Sequence, residues 1–272
     1  MTISLSEWSK YRDLLSRISK KAADEFRDAV FKVDGRFKGV GLGNIPRNEL
    51  IEYAYGLATK YGEASSAVAA EMYDAIALLS NAPVSAAIPA ETASYSEVAK
   101  TVNGIIKNTG NEDILAQGIG RLVKMAGTDT MLSNAYRDRP KGKGSKRKHS
   151  GAQVAWIPSG DTCPYCIMLA SKGWQNQTEW AANNHSEHIH ANCDCTYMVR
   201  FNDDLNVEGY EPEEYREFYN NIDPGGSRED KLNAMRRYDY AENKEKINAQ
   251  KRSAYEKRKE RNSSKAEEIN VD

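Results

Sequence analysis

Residues 161–197 read DTCPYCIMLASKGWQNQTEWAANNHSEHIHANCDCTY. They hold all four cysteines of the chain, Cys163, Cys166, Cys193 and Cys195, and three of its four histidines, His185, His188 and His190. Confinement of cysteine to one stretch asks for a chemical reason. Cys163 and Cys166 have Cys-x-x-Cys spacing, with Pro164 between them, which suits a tight turn that brings two sulfurs to one centre. The second half reads His190-x-x-Cys193-x-Cys195. Together they offer five soft or borderline ligands where a structural zinc needs four.

Two quartets are open. One is all-thiolate: Cys163, Cys166, Cys193 and Cys195. The other takes His190 and drops one cysteine of the second pair. Residues two apart on a strand face the same side, so Cys193 and Cys195 share a metal most easily if the chain turns between them. The 26 residues between Cys166 and Cys193 are more than zinc ribbons usually carry. Zinc is the expected cofactor. Two disulfides would also use all four cysteines, and Cys-x-x-Cys also serves redox exchange. However, no βαβ unit is visible around it, and the chain is not a small secreted domain lacking a core. His185 and His188 read as solvated loop residues. They also admit an enzyme of another class, a zinc-stabilised nuclease of the His-Asn-His type.

The composition is that of a water-soluble chain: 272 residues, 40% hydrophobic, 28% charged, formal net charge −1. No run reaches the 18 to 20 apolar residues of a membrane span. The start, MTISLSEWSKYRD, lacks the apolar centre of a signal peptide. A reducing compartment is expected, which favours thiolate–metal over disulfide chemistry.

The apolar spacing predicts helices. Over residues 4–33, Leu5, Trp8, Tyr11, Leu15, Ile18, Ala22, Phe26 and Val30 recur at three- and four-residue steps, with Ser4 or Ser6 as cap. Residues 46–80 form a second helix, with Pro46 at its start. NAPVSAAIPAETA, residues 81–93, is a linker or an extended arm. Ser94-x-x-Glu97 is a capping-box pattern that opens a helix closed near Gly110. Two further helices are expected, one around Ile114 to Met125 and one from about Thr128 to Arg137.

Residues 137–150, RDRPKGKGSKRKHS, carry seven cations, Arg137, Arg139, Lys141, Lys143, Lys146, Arg147 and Lys148, against Asp138. That density is a polyanion footprint, and without interleaved aromatics it implies no base stacking. Arg139, Lys141, Lys143, Lys146, Arg147 and Lys148 are the candidate nucleic-acid contacts. After the cysteines the chain turns acidic. Pro212 starts a short helix, and a long polar helix runs from about Ser227 to Asn262. NSSKAEEINVD is expected to be disordered.

The fold class expected is mostly α: a helical N-terminal domain, a small α+β zinc-knuckle module and a helical C-terminal tail. The divisions are 1–80, a long-helix region; 81–138, a helical segment after a Pro/Ala linker; 139–202, the basic loop and Cys/His metal module; and 203–272, an acidic segment and basic helical tail.

VAWIPSGDTCPYCIMLASKGW, then HANCDC and the short strand TYMVRF, resemble the minor head proteins of tailed bacteriophages, the Mu F-like head morphogenesis group. The resemblance covers about residues 120–201. Ala191 stands where many members carry proline. It implies a minor capsid protein, not an enzyme, that sits near the portal inside the phage head and takes part in head assembly. It also implies the portal or major capsid protein and packaged double-stranded DNA as partners, with no membrane and no small-molecule substrate. The protein would be found in the virion, and in the host cytoplasm during assembly.

Overall fold

The computed structural model describes residues 2–140, 151–159, 162–177, 195–203 and 205–269. Among them helix dominates. Helix α1 (Leu5–Phe31) begins at Ser4, whose hydroxyl accepts the Glu7 N–H while the Glu7 carboxylate accepts the Ser4 N–H. This reciprocal cap satisfies donors that a helix start leaves open. Trp8, Tyr11, Leu15, Ala22, Phe26 and Val30 of its apolar stripe are buried. A 3-10 turn (Leu42–Asn44) leads to α2 (Arg47–Leu79), with Pro46 as the residue before the first turn. Helix α3 (Tyr95–Asn108) starts at the expected Ser94–Glu97 box and stops before Gly110.

Where two helices were expected after Gly110, there is one, α4 (Glu112–Arg137). Gly127, which lies between the two expected helices, permits close packing. A Cβ there would lie 2.7 Å from Ser65 Oγ of α2. Gly118 and Gly120 serve the same purpose towards Ile105 of α3 and the Ser19 carbonyl of α1. Three glycines thus let α4 lie against all three other helices at once.

Residues 81–93 form an extended arm pinned along α4, not a loose linker. Ala90 N–H donates to Thr130 Oγ1 at 2.9 Å, and Ile88 N–H donates to Asn134 Oδ1 at 2.9 Å. Asn134 Nδ2 returns a bond to Ile88 O at 2.8 Å, and Ala87 N–H donates to Asp74 at 2.7 Å. The arm's backbone groups find partners in side chains where a sheet would supply backbone.

Strand β2 (Gln153–Ile157) is central in a three-stranded antiparallel sheet, between β3 (Gln175–Asn176) and β4 (Thr196–Arg200). Helix α5 (Pro164–Ala170) follows β2. Every residue of β2 is buried, so both faces of this central strand are covered. The sheet's core includes Trp8 and Tyr11 of α1, Tyr73 and Ile76 of α2, and Met131 and Leu132 of α4. Tyr11 is also hydrogen-bonded to Thr196. Among the described residues, the strands share apolar burial with the bundle and no metal-ligand group gathers; the His190 and Cys193 half of the expected zinc knuckle lies outside the described residues. A second cluster, with Phe26, Leu50, Leu57, Val102, Leu115 and Ile119, fills the far end of the four helices. The N-terminus is tied to the same module: β1 (Thr2–Ile3) pairs in parallel with β5 (Asn206–Val207).

Helix α6 (Pro212–Asn221) and helix α7 (Arg228–Ile269) complete the chain. Leu232 and Met235 of α7 are buried. The helix continues to Ile269, through most of the NSSKAEEINVD stretch expected to be disordered; its Lys, Ala and Glu residues favour helix locally. Among the described residues, no helix is long and apolar enough to cross a membrane.

Candidate functional site

Cys163 is the N-cap of α5, and its Sγ accepts the Cys166 N–H at 3.5 Å. Pro164 occupies the first helical turn, where its missing N–H costs nothing. Cys166 is buried in that turn. Cys195 is also buried and immediately precedes Thr196, which pairs with Ile157 at the end of β2. Since β2 ends at Ile157 and leads to Cys163, the topology puts Cys163, Cys166 and Cys195 at one end of the sheet.

Three tyrosines mark the surroundings. Burial raises the Tyr197 hydroxyl pKa well above its ordinary value, with further contributions from Tyr165 and Cys166. Tyr165 is raised by burial first, and then by Cys166 and Cys163 against the opposing Arg228. Tyr215 is raised by burial and then by Cys195. Trp156 packs edge-on against Tyr197, ring centres 4.7 Å apart, and its buried Nε1 has no hydrogen-bond partner among the described residues.

The cysteines share an end of the sheet without converging. Among the described residues, no three His, Cys, Asp or Glu side chains gather as a metal group. His190 and Cys193, as well as His185 and His188, lie outside the described residues. The choice between the two quartets therefore falls on residues that the structure does not describe.

The cationic segment divides. Arg137, read with the loop, is the last residue of α4, and its guanidinium is spent inside the fold. Nε and Nη2 donate to the Asp138 carboxylate at 2.8 and 2.7 Å, Nη2 to Ser85 O at 2.8 Å and Nη1 to Ala86 O at 3.0 Å. Asp138 also accepts the Tyr73 hydroxyl at 2.9 Å. Arg139 stacks on Tyr136, its guanidinium carbon 3.7 Å from the ring centre. The base of the loop is closed by Ala152 N–H donating to Asp138 O at 2.9 Å. Lys141, Lys143, Lys146, Arg147 and Lys148 lie outside the described residues.

The sequence reading missed the line Thr130, Asn134, Asp138. Thr130 and Asn134 hold the arm, and Asp138 anchors Arg137 and Tyr73. The signal was present in the four-residue steps from Thr130 to Asn134 and on to the cap residue Asp138, which set the three on one face.

The family model described as VG15 protein matches residues 2–222, from β1 through α6. No curated protein and no solved structure matches the chain.

Proposed function

The chain belongs to the VG15 family, a family of viral, phage-type gene products, and from that premise we propose that it is a minor capsid protein of a tailed bacteriophage, acting in head morphogenesis near the portal. The observation that carries this reading is the extent of the family match, which takes in both the helical bundle and the cysteine module. A module whose core is shared with the bundle suits a structural part better than a separable catalytic domain. The cysteine pattern's likeness to the Mu F-like head proteins supports the finer assignment.

Zinc belongs to this reading. The residue types suit the ion, and although the three described cysteines do not by themselves gather as a metal group, Cys163 and Cys166 sit on one helical turn and Cys195 lies at the same end of the sheet. Cys163 and Cys166, together with two of His190, Cys193 and Cys195, would hold the ion. Its role would be to link β4 to α5, with no catalytic step.

The remaining partners follow from charge. Arg139, Lys141, Lys143, Lys146, Arg147 and Lys148 would neutralise phosphates of packaged duplex DNA without reading its sequence. The assembly partners are the portal or major capsid protein. Mass spectrometry of purified virions tests the proposal: peptides of this chain at a fixed copy number are expected. Their absence from virions, with the protein present in the lysate, would refute it. Cleavage of DNA by the purified chain that is lost on His188→Ala or His190→Ala would instead establish the nuclease reading.

A further inference from the structure

The C-terminal ends of α2 and α4 meet beside the end of β4, and an open cleft of about 530 Å³ lies between them. Its walls include Ser80, the C-cap of α2, and Asp138, the C-cap of α4. Arg139 and Asn202, two residues past β4, complete the polar lining. Pro83 and Val84 of the arm add apolar surface. The volume falls in the range of about 300–1,000 Å³ that small-ligand sites occupy.

Two polar atoms in this wall are buried without a hydrogen-bond partner: the Ser80 hydroxyl and the Asn202 carboxamide oxygen. Such groups are rare in folded chains, because each gives up water with no replacement. Here two of them line the same cleft. The third polar group is Arg139, whose Nη1 donates to Tyr136 O while its guanidinium lies over the Tyr136 ring. Among the described residues, its Nε and Nη2 have no partner.

We propose that this cleft binds an extended peptide segment of a partner protein through its main-chain amides. One N–H of the segment donates to Asn202 Oδ1. One carbonyl accepts from Arg139 or from the Ser80 hydroxyl, and a small aliphatic side chain rests on Pro83 and Val84. The charges select a neutral ligand. The Arg139 guanidinium opposes an organic cation. The ends of two helices, each with partial negative charge, oppose an anion. The Asp138 carboxylate adds to that opposition, although Arg137 and Tyr73 already engage it. What remains is a neutral group that both donates and accepts, as an amide does. A nucleobase shares this chemistry but wants an open aromatic face to stack on. Phe201, the aromatic residue of the lining, is only 5% exposed and sits edge-on to Tyr73.

The test uses the full chain, labelled with nitrogen-15, and the capped tripeptide acetyl-Ala-Val-Ala-amide. On titration, the Asn202 side-chain amide and Arg139 Nε–H signals should move together and saturate, with a Kd on the order of 1 mM. Ser80→Ala and Asn202→Leu should each weaken binding by about ten-fold. Neither should lower the melting temperature, because each removes a buried group that has no partner in the free chain. A lower melting temperature in both variants, with peptide binding unchanged, would overturn the proposal: the two groups would then serve the fold through ordered water. Movement of the same signals by guanosine monophosphate and not by the peptide would make the cleft a nucleobase site. Movement by inorganic phosphate and not by the peptide would make it an anion site. No movement with any of the three would equally refute the proposal.

Discussion

Asn134 and Ile88 exchange two hydrogen bonds across 46 residues, one each way, at 2.9 and 2.8 Å. The carboxamide of α4 thus treats the arm as a neighbouring strand would. Asn134 is almost fully buried, with only 2% of its surface exposed, whereas Ile88 is exposed, so the carboxamide and not the arm lacks water as an alternative. Asn134→Ala should remove both bonds and cost about 0.5–1.5 kcal/mol of stability for each. Urea unfolding measures the loss. Hydrogen exchange should rise first in residues 85–90, and unchanged exchange there would show that the arm is held by other contacts.

A zinc reading makes a stoichiometric demand. Elemental analysis of protein purified under reducing conditions should find about one zinc per chain, the content of a single four-ligand site. Cys163→Ser or Cys166→Ser should lower it to background and raise hydrogen exchange over 152–201. Because Trp8, Tyr11, Tyr73 and Met131 share that core, the disturbance should extend to the nearby turns of α1, α2 and α4, while the far cluster around Phe26 and Ile119 stays protected. Full protection of the strands with no metal bound would show that burial alone holds the module.

Helix positions and caps were legible because they are local: Ser4 with Glu7 and Ser94 with Glu97 are written within four residues. The single α4 was not, because Gly127, between the two expected helices, is a packing surface beside Ser65, which lies 62 positions earlier. The sheet's dependence on α1 and α2 was hidden for the same reason: pairing across more than a hundred residues leaves no spacing to read. At the candidate site, Cys163, Cys166 and Cys195 lie at one end of the sheet but do not gather as a metal group among the described residues, and His190 and Cys193 lie outside them. Arg137 departs from the sequence reading, since charge density cannot distinguish a solvent-facing guanidinium from one locked onto Asp138.

Alkaline pH should unfold the protein through its buried phenols. Tyr73 is raised strongly, first by burial and then by Asp138, and burial likewise raises Tyr197. A phenol whose folded pKa exceeds its unfolded value of about 10 stabilises the fold fully below that pH, and the contribution fades as pH climbs from there towards the folded value. Stability should therefore be flat with respect to these groups through neutral pH and fall above about pH 10. Tyr73→Phe should remove part of that alkaline loss. If the melting temperature of native and variant chains falls in parallel above that pH, Tyr73 is not one of the groups responsible.

Salt dependence separates the cations that meet DNA from those that build the fold. Removing one cation that neutralises a phosphate should lower the slope of log affinity against log salt by about 0.9. Lys146, Arg147 and Lys148 replaced together by Ala should lower it by about two to three, and Arg139→Ala by about one. Arg137→Ala should leave the slope unchanged, because its guanidinium is spent on Asp138, Ser85 and Ala86. It should instead destabilise the fold, since Asp138 loses its cation while only 10% of its side-chain surface is exposed. Anisotropy titrations of any short duplex at several salt concentrations measure the slopes, and thermal melts measure the stability. A slope that falls with Arg137→Ala as much as with Arg139→Ala would mean that Arg137 leaves Asp138 to meet the phosphates. An unchanged slope in the triple variant would make the loop a solvated connection between α4 and β2.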